Sequence, residues 1–333
     1  MRSHCALYVD AGYLLAAAAT RATGTSLRKG IVVDHEKLIL SLVQHAETRS
    51  GLPLLRVHWY DSARNSVPDS TQEAIGLLDR VKLRLGRVGY DGEQKGVDLR
   101  IGLDMVAHAR NGAIDAMYLV SGDDDLAEAV EEAQAQGAQV TLLGVPTNAG
   151  RPHGMSKHLQ QSSDGLDILD AATLDATVTR AVRSEAVRPT APGTVKVAAS
   201  IHVVPSPAEL AGRRPTQDPK PAPTAPVATV APASPPSLVY SGTTGESSVV
   251  ARGYSAEDEK TVQHVVDRVV STWLSTASSE QRSQLTAGRP SVPRELDRAL
   301  LLDAAAAFNS YDLDEVIRQQ LRARFWDQID VAK

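Results

Sequence analysis

Apolar and polar positions along the chain follow helix and strand periods in two stretches, with a long patternless stretch between them. Residues 6–10 (ALYVD) form a short apolar, β-prone run, and residues 12–20 are rich in Ala and Leu. This predicts a strand that ends on a carboxylate and leads directly into a helix. Residues 34–48 have helical spacing (Leu38, Leu42, Val43, Ala46), with Asp34 placed as an N-cap. Residues 55–60 read as a second strand closed by Asp61. Residues 70–85 read as a helix with Ala74, Leu77, Leu78, Val81 and Leu85 on one face. A helix over 96–109 follows, with Val97, Ile101, Met105 and Ala109 four residues apart, and then a strand over 116–120. A helix over 125–136 is stopped by Gly137. Strands are expected over 138–143 and 165–169, the latter before a helix to about Val182. Strands alternating with helices imply βαβ units, a mainly parallel sheet and helices on both faces: an α/β class.

The pattern vanishes over 184–252 and returns at Ser255. Val262, Val265, Val266, Val269 and Val270 then share a helical face. Leu296, Leu300 and Leu301 predict a second helix; Leu313, Val316, Ile317, Leu321, Phe325 and Trp326 predict a third. Composition sharpens this division. Of the 18 prolines, 12 fall within residues 189–236, a Pro/Ala/Thr/Ser stretch that buries too little apolar surface to offset its ordering entropy. The expected plan is an α/β domain over 1–183, a Pro/Ala-rich disordered linker over 184–252 and a small all-α domain over 253–333.

Charge and cysteine narrow the chemistry. Residues 1–180 carry 18 Lys/Arg and 23 Asp/Glu, the whole of the net −5, so attraction of nucleic acid by a broadly basic surface is not indicated. Cys5 is the single cysteine, which excludes a disulfide framework and a thiolate zinc site. No apolar run reaches the roughly 18 residues of a membrane span. Asp10 interrupts the apolar start, which argues against a signal peptide. A cytoplasmic location is expected. Phosphate-loop, dinucleotide and serine-hydrolase signatures (GxxxxGK[ST], GxGxxG, GxSxG) are absent from the chain.

The informative feature is where the carboxylates fall. In an open parallel sheet, ligands bind beyond the C-terminal strand ends. Asp10 ends the first strand; Asp123, Asp124 and Asp125 follow the strand over 116–120 through Ser121-Gly122. Asp98 and Asp104 lie on the helix over 96–109 but six residues apart, about 240° around its axis, so they share a cleft only if Asp98 sits at the helix start. Each aspartate taken singly reads more readily as a helix cap or turn former than as a ligand. Taken together, converging carboxylates repel one another and a cation resolves the conflict. Oxygen ligands without cysteine suit Mg²⁺ or Mn²⁺, which activate water for attack on a phosphodiester.

Three blocks in order, ALYVDAGYL (6–14), QKGVDLRIGLDMVAHA (94–109) and YLVSGDDDLAEAVEEAQAQGAQVTLLG (118–144), resemble the NYN domain family, a LabA-like branch of the PIN-like nucleases. The resemblance covers about residues 4–180. It implies a Rossmann-like three-layer α/β/α sandwich, a ribonuclease acting on RNA, and an acidic site for Mg²⁺ or Mn²⁺. Carried over by position, it makes Asp10, Asp98 and Asp123 the catalytic metal ligands, with Asp104 and Asp125 as further metal candidates and Ser121 as a supporting hydroxyl. Lys95 is a candidate phosphate contact. Arg151 and Lys157, in the stretch that follows the strand over 138–143, are candidate RNA contacts beside the same crevice. Many members have Asn where this chain has Tyr13, and Ala11 replaces a common Gly; Tyr13 is thus placed near the site without the amide. Residues 292–329 resemble tails of actinobacterial members, to which no activity attaches.

An alternative reading is a module that binds RNA or a protein without cutting, with the helical part mediating partner binding or self-association. A third is a metal phosphatase, although the first strand lacks the D-x-D such sheets use.

Overall fold

A computed structural model describes residues 3–88, 94–181, 254–310 and 313–332, all within one compact unit. The disordered-linker expectation for 184–252 lies outside the described residues.

Strand β1 (Cys5–Asp10) runs into helix α1 (Ala11–Thr23), followed by β2 (Ile31–Val33), α2 (His35–Ser50) and β3 (Leu54–Arg64). Next come α3 (Ser70–Gly76), β4 (Val81–Val88), β5 (Gln94–Lys95), α4 (Val97–Arg110) and β6 (Ala116–Val120). The α/β part ends with α5 (Ala127–Ala135), β7 (Gln139–Gly144), α6 (Lys157–Ser162), β8 (Gly165–Ile168), α7 (Ala171–Thr177) and β9 (Val178–Arg180). The sheet order is β5-β4-β3-β1-β6-β7-β8; β2 and β9 form a separate antiparallel pair. Six strands run parallel and the short β5 pairs antiparallel with β4 at one edge.

Alternation along β1 divides the core. Cys5, Leu7 and Val9 face the layer of α1, α2 and α7, whereas Ala6 and Tyr8 face that of α4 and α5. This is the three-layer α/β/α sandwich that the residue pattern and the resemblance both predict. The chain winds outward one way through β1, β3 and β4, then returns to place β6 on the other side of β1. The order therefore reverses between β1 and β6, and in such sheets ligands bind beyond the strand ends at that point.

The helix expected over 70–85 is corrected. It ends at Gly76, and Arg80 takes a left-handed backbone (φ 61°) that breaks any helical continuation. Val81, Leu83 and Leu85 alternate as well as they fit a helical face, and β3 offers a parallel partner from Val57 to Arg64. Val81 and Leu83 pack on the core, while Leu77, expected to be buried, is 85% exposed. The final helix also stops early, at Thr177, and gives way to β9, paired with the unanticipated β2.

Among the described residues, four helices rather than three follow Tyr254: α8 (Ala256–Thr276), α9 (Ser279–Ala287), α10 (Arg294–Phe308) and α11 (Glu315–Val331). A capping box between Ser255 and Asp258 starts α8. Its valine face meets Leu296, Leu300, Leu321 and Phe325, and this cluster also takes in Leu27 from the loop after α1. No helix among the described residues is long and apolar enough to cross a membrane.

Candidate active site

The crevice is built at the ends of β1 and β6 and the start of α4. Asp10 closes β1 and caps α1, its Oδ1 accepting from the backbone N–H of Gly12 (2.7 Å) and Tyr13 (3.2 Å). The cap reading is met, with both bonds on one oxygen. Burial pushes the Asp10 carboxyl up to about 6, and the nearby charge of Asp98 adds to it; the two backbone donors and Arg28 oppose the rise.

Asp98 is the second residue of α4. Gly96 (φ 82°) provides the left-handed turn that starts this helix and puts Asp98 in its first turn. Its carboxyl is raised above the usual range, first by burial, then by Asp123, with Asp125 contributing and Arg298 opposing. Asp123 caps the 3₁₀ turn after β6, accepting from the Asp125 N–H at 3.2 Å, and its own N–H donates to the buried Ser121 Oγ at 3.3 Å. Asp10, Asp98, Asp123 and Asp125 thus form a chain of mutually repelling carboxylates. Among the described residues, no group of three His, Cys, Asp or Glu side chains is drawn together as a metal shell.

Asp104 is not part of this group. It accepts from Tyr60 Oη (2.9 Å) and pairs with Arg84 (Nε 3.1 Å, Nη2 3.2 Å). Its surroundings are a row of buried rings: a hydrogen bond of 2.8 Å joins Tyr8 Oη and His108 Nδ1, and His58 stacks on Tyr8 at 5.2 Å. Burial drives His58 down to about 3, which keeps this row neutral. Asp124 is likewise occupied, by Ser156 Oγ and by His158 at 3.4 Å.

Tyr13 bridges the crevice. Its hydroxyl donates to the His153 carbonyl at 2.6 Å and ties α1 to the loop before α6. The Tyr13 ring and the Gly154 carbonyl leave no room at Gly122: a Cβ there would lie 2.1 Å from that oxygen. Only glycine tolerates so close a backbone approach. Arg151 and Lys157 are exposed on and just after this loop. The Lys95 side chain lies outside the described residues.

Two site residues had no signal in the sequence. A Cβ at Gly12 would lie 2.9 Å from Asp10 Oδ1, 3.3 Å from an Arg28 guanidinium nitrogen and 3.8 Å from one of Arg298. Arg28 also reaches Asp61 at 3.7 Å. Arg28 opens a short 3₁₀ turn over Arg28–Gly30 and Arg298 lies nearly 300 residues downstream of Asp10, so no local spacing connects them.

Residues 4–169 match the model of the NYN domain. The chain belongs to the NYN domain family. NYN domains fall within the PIN-like nuclease superfamily, whose members are generally nucleases that use divalent metals, and the family is associated with RNA. The chain is also 39% identical over 104 residues to y4oD of Sinorhizobium fredii, described as an uncharacterized protein; the match covers 31% of this chain and 47% of that one. The aligned segment thus spans about half the length of the curated relative. No solved structure gives a significant match. In this NYN protein, the donor set suits such a metal: it is all carboxylate oxygen, and its members repel one another in a way that a divalent cation would relieve.

Proposed function

We propose that this NYN protein is a Mg²⁺- or Mn²⁺-dependent ribonuclease hydrolysing RNA phosphodiester bonds. One observation supports the reading: carboxylates from β1, the start of α4 and the turn after β6 act on one another electrostatically, Asp98 on Asp10 and Asp123 and Asp125 on Asp98, beside the point where the strand order reverses. Asp10, Asp98 and Asp123 would hold the metal, with Asp125 at the rim. When bound, the ion supplies charge neutralisation and an acidified water. Ser121 fixes the turn that presents Asp123, and Tyr13 holds the far wall through His153. Asp104, expected among the ligands, is read instead as supporting α4 through Arg84 and Tyr60, because three donors already lie against its two oxygens. Arg151 and Lys157 remain candidates for the RNA backbone.

A second reading, a module that binds RNA without cutting, draws on the two guanidinium groups beside the carboxylates. Incubating an RNA oligonucleotide with the full chain separates the two. Cleavage is expected with Mg²⁺ or Mn²⁺, is abolished by chelation, and is lost in Asp10→Asn and Asp98→Asn. Equal residual cleavage in all three proteins would remove the site assignment, and binding without turnover would establish the second reading.

A further inference from the structure

Among the described residues, much of the contact between the helical part and the α/β part runs along residues 24–30. The Ser26 N–H donates to Asp303 Oδ1 of α10 at 2.9 Å, across 277 residues of sequence. Leu27 is 1% exposed and belongs to the helical core cluster rather than to the sheet's cores. Lys29 pairs with Glu295 of α10. Gly30 abuts Thr272 of α8 so closely that a Cβ there would lie 2.7 Å from its methyl group. These contacts alternate with Arg28, so the segment that anchors the helices also points a guanidinium at Asp10.

The same fastening brings α10 to the crevice. Arg294 and Arg298 stand four residues apart on α10, one above the other on a helical face. The Arg298 guanidinium lies in the cluster around Gly12 with Arg28 and Asp10 Oδ1. Its environment is mixed: neighbouring protein, Arg28 and Arg294 disfavour its charge, while Asp10 and Asp98 favour it. Arg298 as a residue remains exposed, so a ligand in the crevice can reach it. Further along the helical part, Arg322 forks onto Asp297 (2.7 and 2.9 Å) and Arg324 pairs with Glu259.

We propose that α10 is a working part of the active site: Arg298 and Arg294, with Arg28, form a clamp for an RNA phosphate beside Asp10 and Asp98. Clustered guanidinium groups repel one another, and a bound anion turns that cost into attraction; the planar fork of arginine matches phosphate oxygens two at a time. The clamp also answers a question raised by composition. An α/β part with net −5 has no excess of positive charge to offer RNA, and on this proposal positive charge is added locally by a helix of the other half. The inference rests on the ribonuclease reading for its ligand but assigns different residues.

Fluorescence anisotropy with a labelled RNA oligonucleotide and the full chain in chelator, where no cleavage occurs, tests it. Arg298 is exposed, so Arg298→Ala should fold normally, which circular dichroism checks. Its affinity should fall at least tenfold, Arg298→Glu further, and Arg298→Lys should recover part of the loss. The slope of log affinity against log salt should shrink by about 1 in Arg298→Ala. Arg294→Ala should show a smaller loss, and Arg322→Ala, removed from the crevice, none. Wild-type affinity in Arg298→Ala and Arg298→Glu overturns the clamp and leaves the ribonuclease reading intact. Tighter binding or faster cleavage in Arg298→Ala overturns it too, showing a side chain that shields the carboxylates. Loss of binding in Arg298→Glu, with a wild type that never cuts, supports the clamp and sinks only the ribonuclease reading.

Discussion

Helix α4 carries two aspartates, Asp98 and Asp104, in opposite circumstances. Asp104 has a phenol and a guanidinium on its oxygens and sits beside a neutral row of rings. Asp98, a turn and a half earlier, faces Asp123 and Asp125, and its carboxyl is raised. Identical side chains on one helix thus differ in whether their charge has been answered by the fold. A carboxylate whose charge is answered holds structure together; one whose charge is not has capacity left for a ligand. The comparison teaches that acidic spacing along a helix is not enough to assign a metal set: what each oxygen already accepts decides.

The sharpest way to break this contrast is to neutralise each aspartate in turn. Asp98→Asn should lower RNA cleavage by on the order of a hundredfold or more with the fold kept, whereas Asp104→Asn should leave cleavage within a few-fold. Gly122→Ala probes the wall of the crevice. With the Gly154 carbonyl 2.1 Å from the new Cβ, the loop must move, and chemical denaturation should show a loss of about 1–3 kcal/mol. Asp104→Asn should in turn destabilise by about 1–2 kcal/mol in the same measurement, because Arg84 loses its charged partner; a larger loss in Asp98→Asn than in Asp104→Asn would reverse the assignment.

The smallest expected effect is a pH dependence. The Asp10 carboxyl titrates near 6 in the fold instead of 3.8. The stability it contributes is fully present below about pH 3.8 and is lost as pH rises through 6. At pH 7 the metal-free wild type therefore carries the strain of an ionised Asp10. Asp10→Asn, which still caps α1, should be more stable there by about 1–2 kcal/mol, allowing for the partial exposure of the group. The gain should fade towards pH 4, as thermal melts across that range would show. A constant difference from pH 4 to 7 would remove the electrostatic explanation.

Much of the crevice was legible because its parts are local. Asp10 ends an apolar run, Asp98 follows the glycine that starts a helix, and Asp123 follows Ser121-Gly122; each placement needs only a few residues of context. The partners of Asp104 were hidden for a traceable reason. Its partner Arg84 lies in the stretch over 70–85, where apolar residues fit a helical face as well as a strand. Read as a helix, that stretch hides the neighbour that β4 delivers through pairing with β3. Arg28 and Arg298 were beyond reach for a different reason: they meet only because Ser26, Leu27 and Lys29 fasten α10 to the α/β part, and no periodicity encodes contacts over such separations.

The central claim is that the unanswered carboxylates, and not Asp104, hold a divalent ion. Titrating the full chain with Mn²⁺ and counting free ion by electron paramagnetic resonance tests this without reference to activity. The account predicts saturable binding by the wild type, binding at least tenfold weaker in Asp98→Asn, and unchanged binding in Asp104→Asn. Equal Mn²⁺ affinity in wild type and Asp98→Asn, or a loss confined to Asp104→Asn, would contradict it.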